Sequence, residues 1–365
     1  MSFSLPSPQT ILLSLALCLA GGAGGALAAR LSVPMPWMLG SLLVTALVVA
    51  FAGETGLRGY TFPQGLRNGF IALIGVMIGT QVTPELARAL VSLPLTVAAL
   101  LVFVLIAHGG NYLIFRRIGG LDRATAFYSA TPGGLMESIL MGETVGADVR
   151  VLTMQQFLRI ILVITLVPTA LSIWSGAPVG TAAGVVPGGN APVPPLALVL
   201  IALAAAAGLA LARLVHLPAS QLIGPMLLSA ALTLSGLVDL HLPFWLIAVA
   251  QVVVGVSLGM RFRGVTGRLL RRSLGLSLAS VTFMLALGAA LSWGLLMVTD
   301  LGFLTLLLSF APGGVTEMSL VALSLAVSPA LVTLHHVLRI LMTVFELMLS
   351  ARLFGFVKPV EADPQ

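Results

Sequence analysis

The chain has 365 residues, of which 58% are hydrophobic and 8% charged, whereas soluble domains carry about 25% charged residues. Its mean hydropathy of +1.10 comes from recurring aliphatic runs of about 20 residues, the length that spans a hydrocarbon core, which excludes a water-soluble protein. The net charge of +6 rests on 18 basic residues spread over short loops, so they form no continuous basic face for nucleic acid. The lone Cys18 excludes a disulfide framework and a cysteine-based metal site.

The first apolar run, 10–30, ends in small residues, but no Lys or Arg precedes it, so it reads as a retained span rather than a cleaved signal. Further spans are expected at 33–52, 64–82, 90–115 and 150–174. An uncharged Gly/Pro/Ala stretch at 176–194 reads as a linker. Spans at 195–215, 219–238, 243–260, 273–298 and 330–352 complete the chain. Between the fourth and fifth span of each set lie segments 122–149 and 301–329, each carrying Pro-Gly-Gly.

These two sets repeat one another. Ala-Thr-Pro-Gly-Gly-Leu-Met-Glu at 130–137 is answered 180 positions later by Phe-Ala-Pro-Gly-Gly-Val-Thr-Glu at 310–317, and Phe-Leu-Arg-Ile at 157–160 by Val-Leu-Arg-Ile at 337–340. Gly75 and Gly79 match Gly255 and Gly259 at the same spacing, which suits close helix packing. Pro36-Trp37-Met38-Leu39 aligns with Pro225-Met226-Leu227-Leu228 at a slightly larger offset. The expected domains are a first repeat at 1–175, the linker at 176–194 and a second repeat at 195–357.

Positive charge selects the topology, because cytoplasmic loops hold the excess of Lys and Arg. If each Pro-Gly-Gly segment dips in and returns to its own side, fourteen basic residues fall inside and only Arg30 and Arg88 outside, with Arg159 and Arg339 within spans. Full crossing of those segments instead leaves the cluster Arg261, Arg263, Arg268, Arg271 and Arg272 outside. The expected fold is therefore an all-α integral membrane protein made of two inverted repeats of five transmembrane helices. Each repeat carries a Pro-Gly-Gly re-entrant or broken helical segment, and both termini are cytoplasmic.

Paired broken helices in an inverted repeat are the plan of secondary transporters, whose substrate sites lie near the midplane. Pro removes a donor and two glycines release helix geometry, so Pro132, Gly133, Gly134 and Pro312, Gly313, Gly314 each separate two short helices. The helix after each break presents free N–H groups and a positive dipole end. Thr131 stands before the first break. Glu137 and Glu317 fall in the first turn after the breaks, and Arg159 and Arg339 on the next span. In one reading the arginines take an anionic solute and the glutamates a coupling proton or cation; in the other, each Glu answers its helix dipole or pairs with an Arg to pin the segment. The positions before the arginines differ, Gln155 and Gln156 against His335 and His336, so the two copies are chemically unequal. Glu346, deep in the last span, is a weaker candidate.

These residues carry a resemblance. ATPGGLMES followed by GADVRVLTMQQFLRI, and APGGVTEMS followed by LVTLHHVLRI, with PWMLG at 36–40 and IGPMLLS at 223–229, resemble the bacterial AbrB membrane-protein family over nearly the whole chain. The resemblance implies an integral membrane protein with a duplicated domain in the bacterial inner (plasma) membrane. It also implies a link to regulation of gene expression in an enteric member, with no settled substrate. Members are often labelled an ammonia monooxygenase or an AbrB-family transcriptional regulator.

An ammonia monooxygenase needs converging metal ligands, whereas the five histidines (His108, His216, His241, His335, His336) are scattered. The expectation is no enzyme, no cofactor and no metal. The partners expected are a small-molecule solute with a coupling proton or cation, and membrane lipid; oligomeric state stays open. The rival reading is a membrane-bound sensor that regulates gene expression from a transporter scaffold.

Overall fold

The computed structural model describes residues 7–57, 59–82, 91–176, 193–217, 219–236, 240 and 242–353. Most of the 176–194 linker, together with Arg58, Arg88, His241 and Lys358, lies outside the described residues. Fourteen α-helices and no strand occur among those described. In chain order they are α1 (Pro8–Arg30), α2 (Pro36–Gly56), α3 (Gln64–Thr80), α4 (Leu93–Leu113), α5 (Arg123–Ser129), α6 (Leu135–Thr144) and α7 (Val149–Ser175). The second set is α8 (Pro195–Leu214), α9 (Ser220–Leu234), α10 (Phe244–Gly259), α11 (Gly267–Leu296), α12 (Phe303–Phe310), α13 (Val315–Ser324) and α14 (Pro329–Leu353).

Seven of these, α1, α4, α7, α8, α10, α11 and α14, are long and apolar enough to cross a membrane. Their outward faces are apolar: Leu19 on α1 is 75% exposed, and Phe345 on α14 is 71% exposed. Surfaces of this kind suit hydrocarbon, which needs no polar side chain but demands that backbone groups be bonded within the helix. The apolar part of α2 and helix α9 are shorter. At about 1.5 Å per residue, the 15 residues of α9 fall short of a hydrocarbon core of about 30 Å.

The chain divides into two compact units, and each draws on both halves of the sequence. One comprises Met1–Arg88, Ile164–Thr266 and Thr316–Thr333; the other comprises Ala89–Val163, Gly267–Val315 and Leu334–Gln365.

In the first unit α2 packs against α1 and α10, and α9 packs against α8 and α3. Glycine makes these approaches possible. A Cβ on Gly75 would stand 2.4 Å from the carbonyl oxygen of Leu222, and one on Gly255 2.4 Å from that of Met38. One turn on, Gly79 faces the Met226 carbonyl and Ser229, as Gly259 faces the Leu42 carbonyl and Thr45. Small residues at such crossings let backbones touch, which replaces the hydrophobic drive that lipid cannot supply.

These contacts correct the expected alignment of Pro36 with Pro225. Pro36 begins α2, whereas Pro225 lies inside α9. The equivalent helix starts follow Met35 and Ala219, both in the left-handed region with φ 49° and 46°. Gly40 then matches Gly224, each seated on a glycine of the preceding helix, Gly24 and Gly208. The offset here is 184 positions (Gly40 to Gly224), and the shared prolines are coincidental.

The second unit holds α4, α5, α6, α11 and α12 with most of α7 and α14. Polar groups sit inside it. Asn111 on α4 donates its amide to the Ala130 carbonyl at 3.2 Å and accepts from Ser280 of α11 at 2.8 Å. Phe103 and Phe310 stack tilted at 5.7 Å between ring centroids.

Candidate functional site

Helix α5 starts because Asp122 caps it, accepting from the Thr125 N–H at 2.9 Å. It ends at Ser129, and helix resumes only at Leu135, with Gly134 in the left-handed region at φ 57°. In the second half α12 ends at Phe310 and α13 begins at Val315. Each short helix leaves carbonyls without an intrahelical partner, and Pro132 and Pro312 have no N–H to offer.

Two buried arginines answer those carbonyls. Arg159 on α7, 6% exposed, donates from Nη1 to the Thr131 carbonyl at 2.5 Å. Arg339 on α14, 1% exposed, donates from Nη1 to the Ala311 carbonyl and from Nη2 to the Gly313 carbonyl at 2.7 Å. A hydrogen bond from a charged donor contributes about 1.5–3 kcal/mol, and leaving the carbonyl unmet would cost a similar amount. No ion pair joins Glu137 or Glu317 to Arg159 or Arg339. The expectation that a glutamate pins its segment by pairing with an arginine is therefore not met: backbone carbonyls occupy the guanidinium groups instead. The Nε of both arginines has no partner.

Around this shared core the halves diverge. Gln156 donates to the Thr131 hydroxyl at 2.8 Å and to the Ser129 carbonyl at 3.2 Å, while Thr131 and Ser138 share a hydrogen bond of 2.7 Å. The second half has Ala311 and His336 at the matching positions, and neither nitrogen of the fully buried His336 has a partner. Gln155 instead accepts from Ser277 of α11 at 2.5 Å, and His335 meets Thr96 of α4 at 2.8 Å. Gly133 and Gly134 face Thr343 and Val344 of α14.

The second unit thus gathers Thr131, Pro132, Gly133, Gly134, Glu137, Gln155, Gln156, Arg159, Pro312, Gly313, Gly314, His335, His336 and Arg339. Glu317, 4% exposed, falls in the first unit. Glu137 is half-buried. Both glutamates occupy the first turn of their helices, where a carboxylate offsets the positive dipole end.

Sequence reading did not pair His108 with Glu346. His108 Nδ1 lies 2.7 Å from Glu346 Oε2, and its Nε2 lies 3.0 Å from the Phe127 carbonyl. Ser350 donates to Glu346 Oε1 at 2.6 Å. These residues line a cavity of about 430 Å³ together with Leu105, Gly109, Tyr112, Arg123 and Phe127. The available signal was chemical: an ionisable residue in an apolar helix needs a partner, and His108 and Glu346 are both such residues.

Crossing helices with apolar outer faces, around an interior of buried arginines, glutamines and histidines, define a polytopic α-helical membrane protein. The family described as Transition state regulatory protein AbrB matches residues 47–355. A protein of Escherichia coli K12 named "Putative regulator AbrB" is 31% identical over 71% of this chain and 74% of its own length. A Bacillus subtilis 168 protein named "Uncharacterized protein YhjN" is 24% identical over 88% of each chain. The chain belongs to this AbrB family.

Proposed function

We propose that the chain is a secondary transporter of a small solute that works by alternating access around its two Pro-Gly-Gly breaks. In this reading the seven long apolar helices and the shorter α2, α3 and α9 make five crossings in each of two inverted repeats, 1–175 and 195–357, in the bacterial inner membrane with both termini cytoplasmic. Each broken segment is re-entrant, one from each side. The chain catalyses no reaction and uses no cofactor.

One observation carries the reading: Arg159 and Arg339 are buried without a carboxylate partner, and each keeps an unpartnered Nε. An uncompensated buried charge is expensive, and a membrane-embedded ionisable residue marks a solute or ion pathway. A solute bearing a carboxylate or another anionic group supplies the missing acceptor. The carbonyl contacts of the two arginines hold the breaks in shape until it does. Glu137 and Glu317 are the groups assigned to a coupling proton or cation. Reciprocal packing of α2 on α10 and of α9 on α3 supports a repeat built twice.

The test is flux into proteoliposomes across organic acids, amino acids and ammonium. An anionic solute is expected to be carried, with uptake abolished in Arg339→Gln and altered in its pH dependence in Glu137→Gln or Glu317→Gln. Solute-dependent binding without flux would overturn transport and leave the second reading, a membrane-bound regulator that reports occupancy by a change of conformation. The name of the Escherichia coli relative, "Putative regulator AbrB", favours that rival.

A further inference from the structure

We propose that His108 and Glu346 form a proton-binding site in which the two side chains hold a single exchangeable proton at the wall of the cavity between α4, α5 and α14. The hydrogen-bond inventory compels the shared proton. His108 Nε2 faces the Phe127 carbonyl at 3.0 Å, and a carbonyl only accepts, so Nε2 carries a hydrogen. Nδ1 faces Glu346 Oε2 at 2.7 Å, and that contact also needs one hydrogen. Imidazolium against carboxylate supplies it, as does neutral imidazole against carboxylic acid. Both forms are neutral as a pair, which is what a side-chain pair 4% and 11% exposed within a membrane helix bundle requires.

Release passes that proton to water in the cavity and leaves the Nδ1 lone pair against a carboxylate, with one net negative charge on the pair. The other titratable or charged groups lining the cavity are Tyr112 on α4 and Arg123 on α5. Ser350 holds Oε1 in both states. His108 on α4 reaches the Phe127 carbonyl of α5, the helix that ends before Pro132, and Glu346 of α14, so loss of the proton alters the contact by which α4 joins these two helices. A role in coupling rests on the transport reading; proton binding itself does not.

Proton release by purified full-length protein in nanodiscs, followed with an indicator dye between about pH 4 and pH 10, tests the site alongside infrared and ¹⁵N-histidine spectra. One proton per chain is expected to be lost in a step that changes the Glu346 carboxyl band and the His108 ring signal together. That step should be absent in Glu346→Gln and in His108→Gln, and retained in Ser350→Ala. Glu346→Asp serves if the amide variant does not fold, with the joint step displaced in pH. Separate titration of the two groups in the wild type overturns the site. Titration without any flux would instead overturn the transport reading alone.

Discussion

Arg159 and Arg339 occupy matching places 180 positions apart, and each gives its Nη1 to the carbonyl immediately before a proline, Thr131 or Ala311. In both places a guanidinium donor meets a backbone carbonyl between two short helices, and at Ala311 the Gly313 N–H reaches the same carbonyl at 2.9 Å. Such a contact holds a non-helical turn inside a helical bundle, where no bulk water is at hand to replace it.

The two arginines are expected to be unequal in their loss. Gln156 also ties down the first break through Thr131 and Ser129, whereas the second break has no counterpart at Ala311 and His336. Arg339→Gln should therefore speed amide exchange at 311–315 about tenfold more than Arg159→Gln speeds it at 130–135, a difference of about 1.4 kcal/mol. Hydrogen exchange followed by mass spectrometry reads both segments in one sample. Equal loosening would mean that the Gln156 network adds nothing.

Gly79→Ala should open the contact of α3 with α9, because the added methyl would stand 1.9 Å from Ser229 Oγ and 2.2 Å from the Met226 carbonyl. Overpacking of this kind costs about 1–3 kcal/mol, read as a lower midpoint of thermal unfolding in detergent. Gly22→Ala meets nothing within 4 Å and should leave that midpoint unchanged or slightly raised.

Asp122 caps α5 from the connection after α4. Burial opposes its ionisation, but hydrogen bonds from the Thr125 hydroxyl and N–H outweigh it and hold the carboxyl below its ordinary value. A folded-state value below the unfolded one means that the cap contributes fully above the unfolded value and is lost as pH falls through the folded one. Asp122→Ala should cost about 1 kcal/mol at neutral pH. The gap to wild type should narrow as pH is lowered below about 4; a gap that stays constant would refute an ionised cap.

His336→Leu should leave the unfolding midpoint unchanged or raise it. Both ring nitrogens are buried without a partner, so the substitution removes unmet polar atoms, a change that is neutral or favourable by about 1–3 kcal/mol. A clear loss of stability would show that the histidine is bonded in the working protein.

Membrane class, the positions of the long apolar helices and the helix ends before Pro132 and Pro312 were legible in the sequence. Each rests on local chemistry: a run of apolar residues long enough for hydrocarbon, a proline that cannot donate, an arginine too costly to bury without purpose. The alignment of α2 with α9 was not legible, because a proline at a helix start and one in a helix interior look the same in a string. Only the close approach of Gly40 to Gly24 and of Gly224 to Gly208 distinguishes them. Two interleaved units likewise follow from packing, since α2 finds α10 and α9 finds α3 across the sequence midpoint. The meeting of His108 with Glu346, 238 positions apart, depended wholly on tertiary structure. Each residue alone announces an unmet charge or donor, and only the folded bundle decides which partner comes within 3 Å.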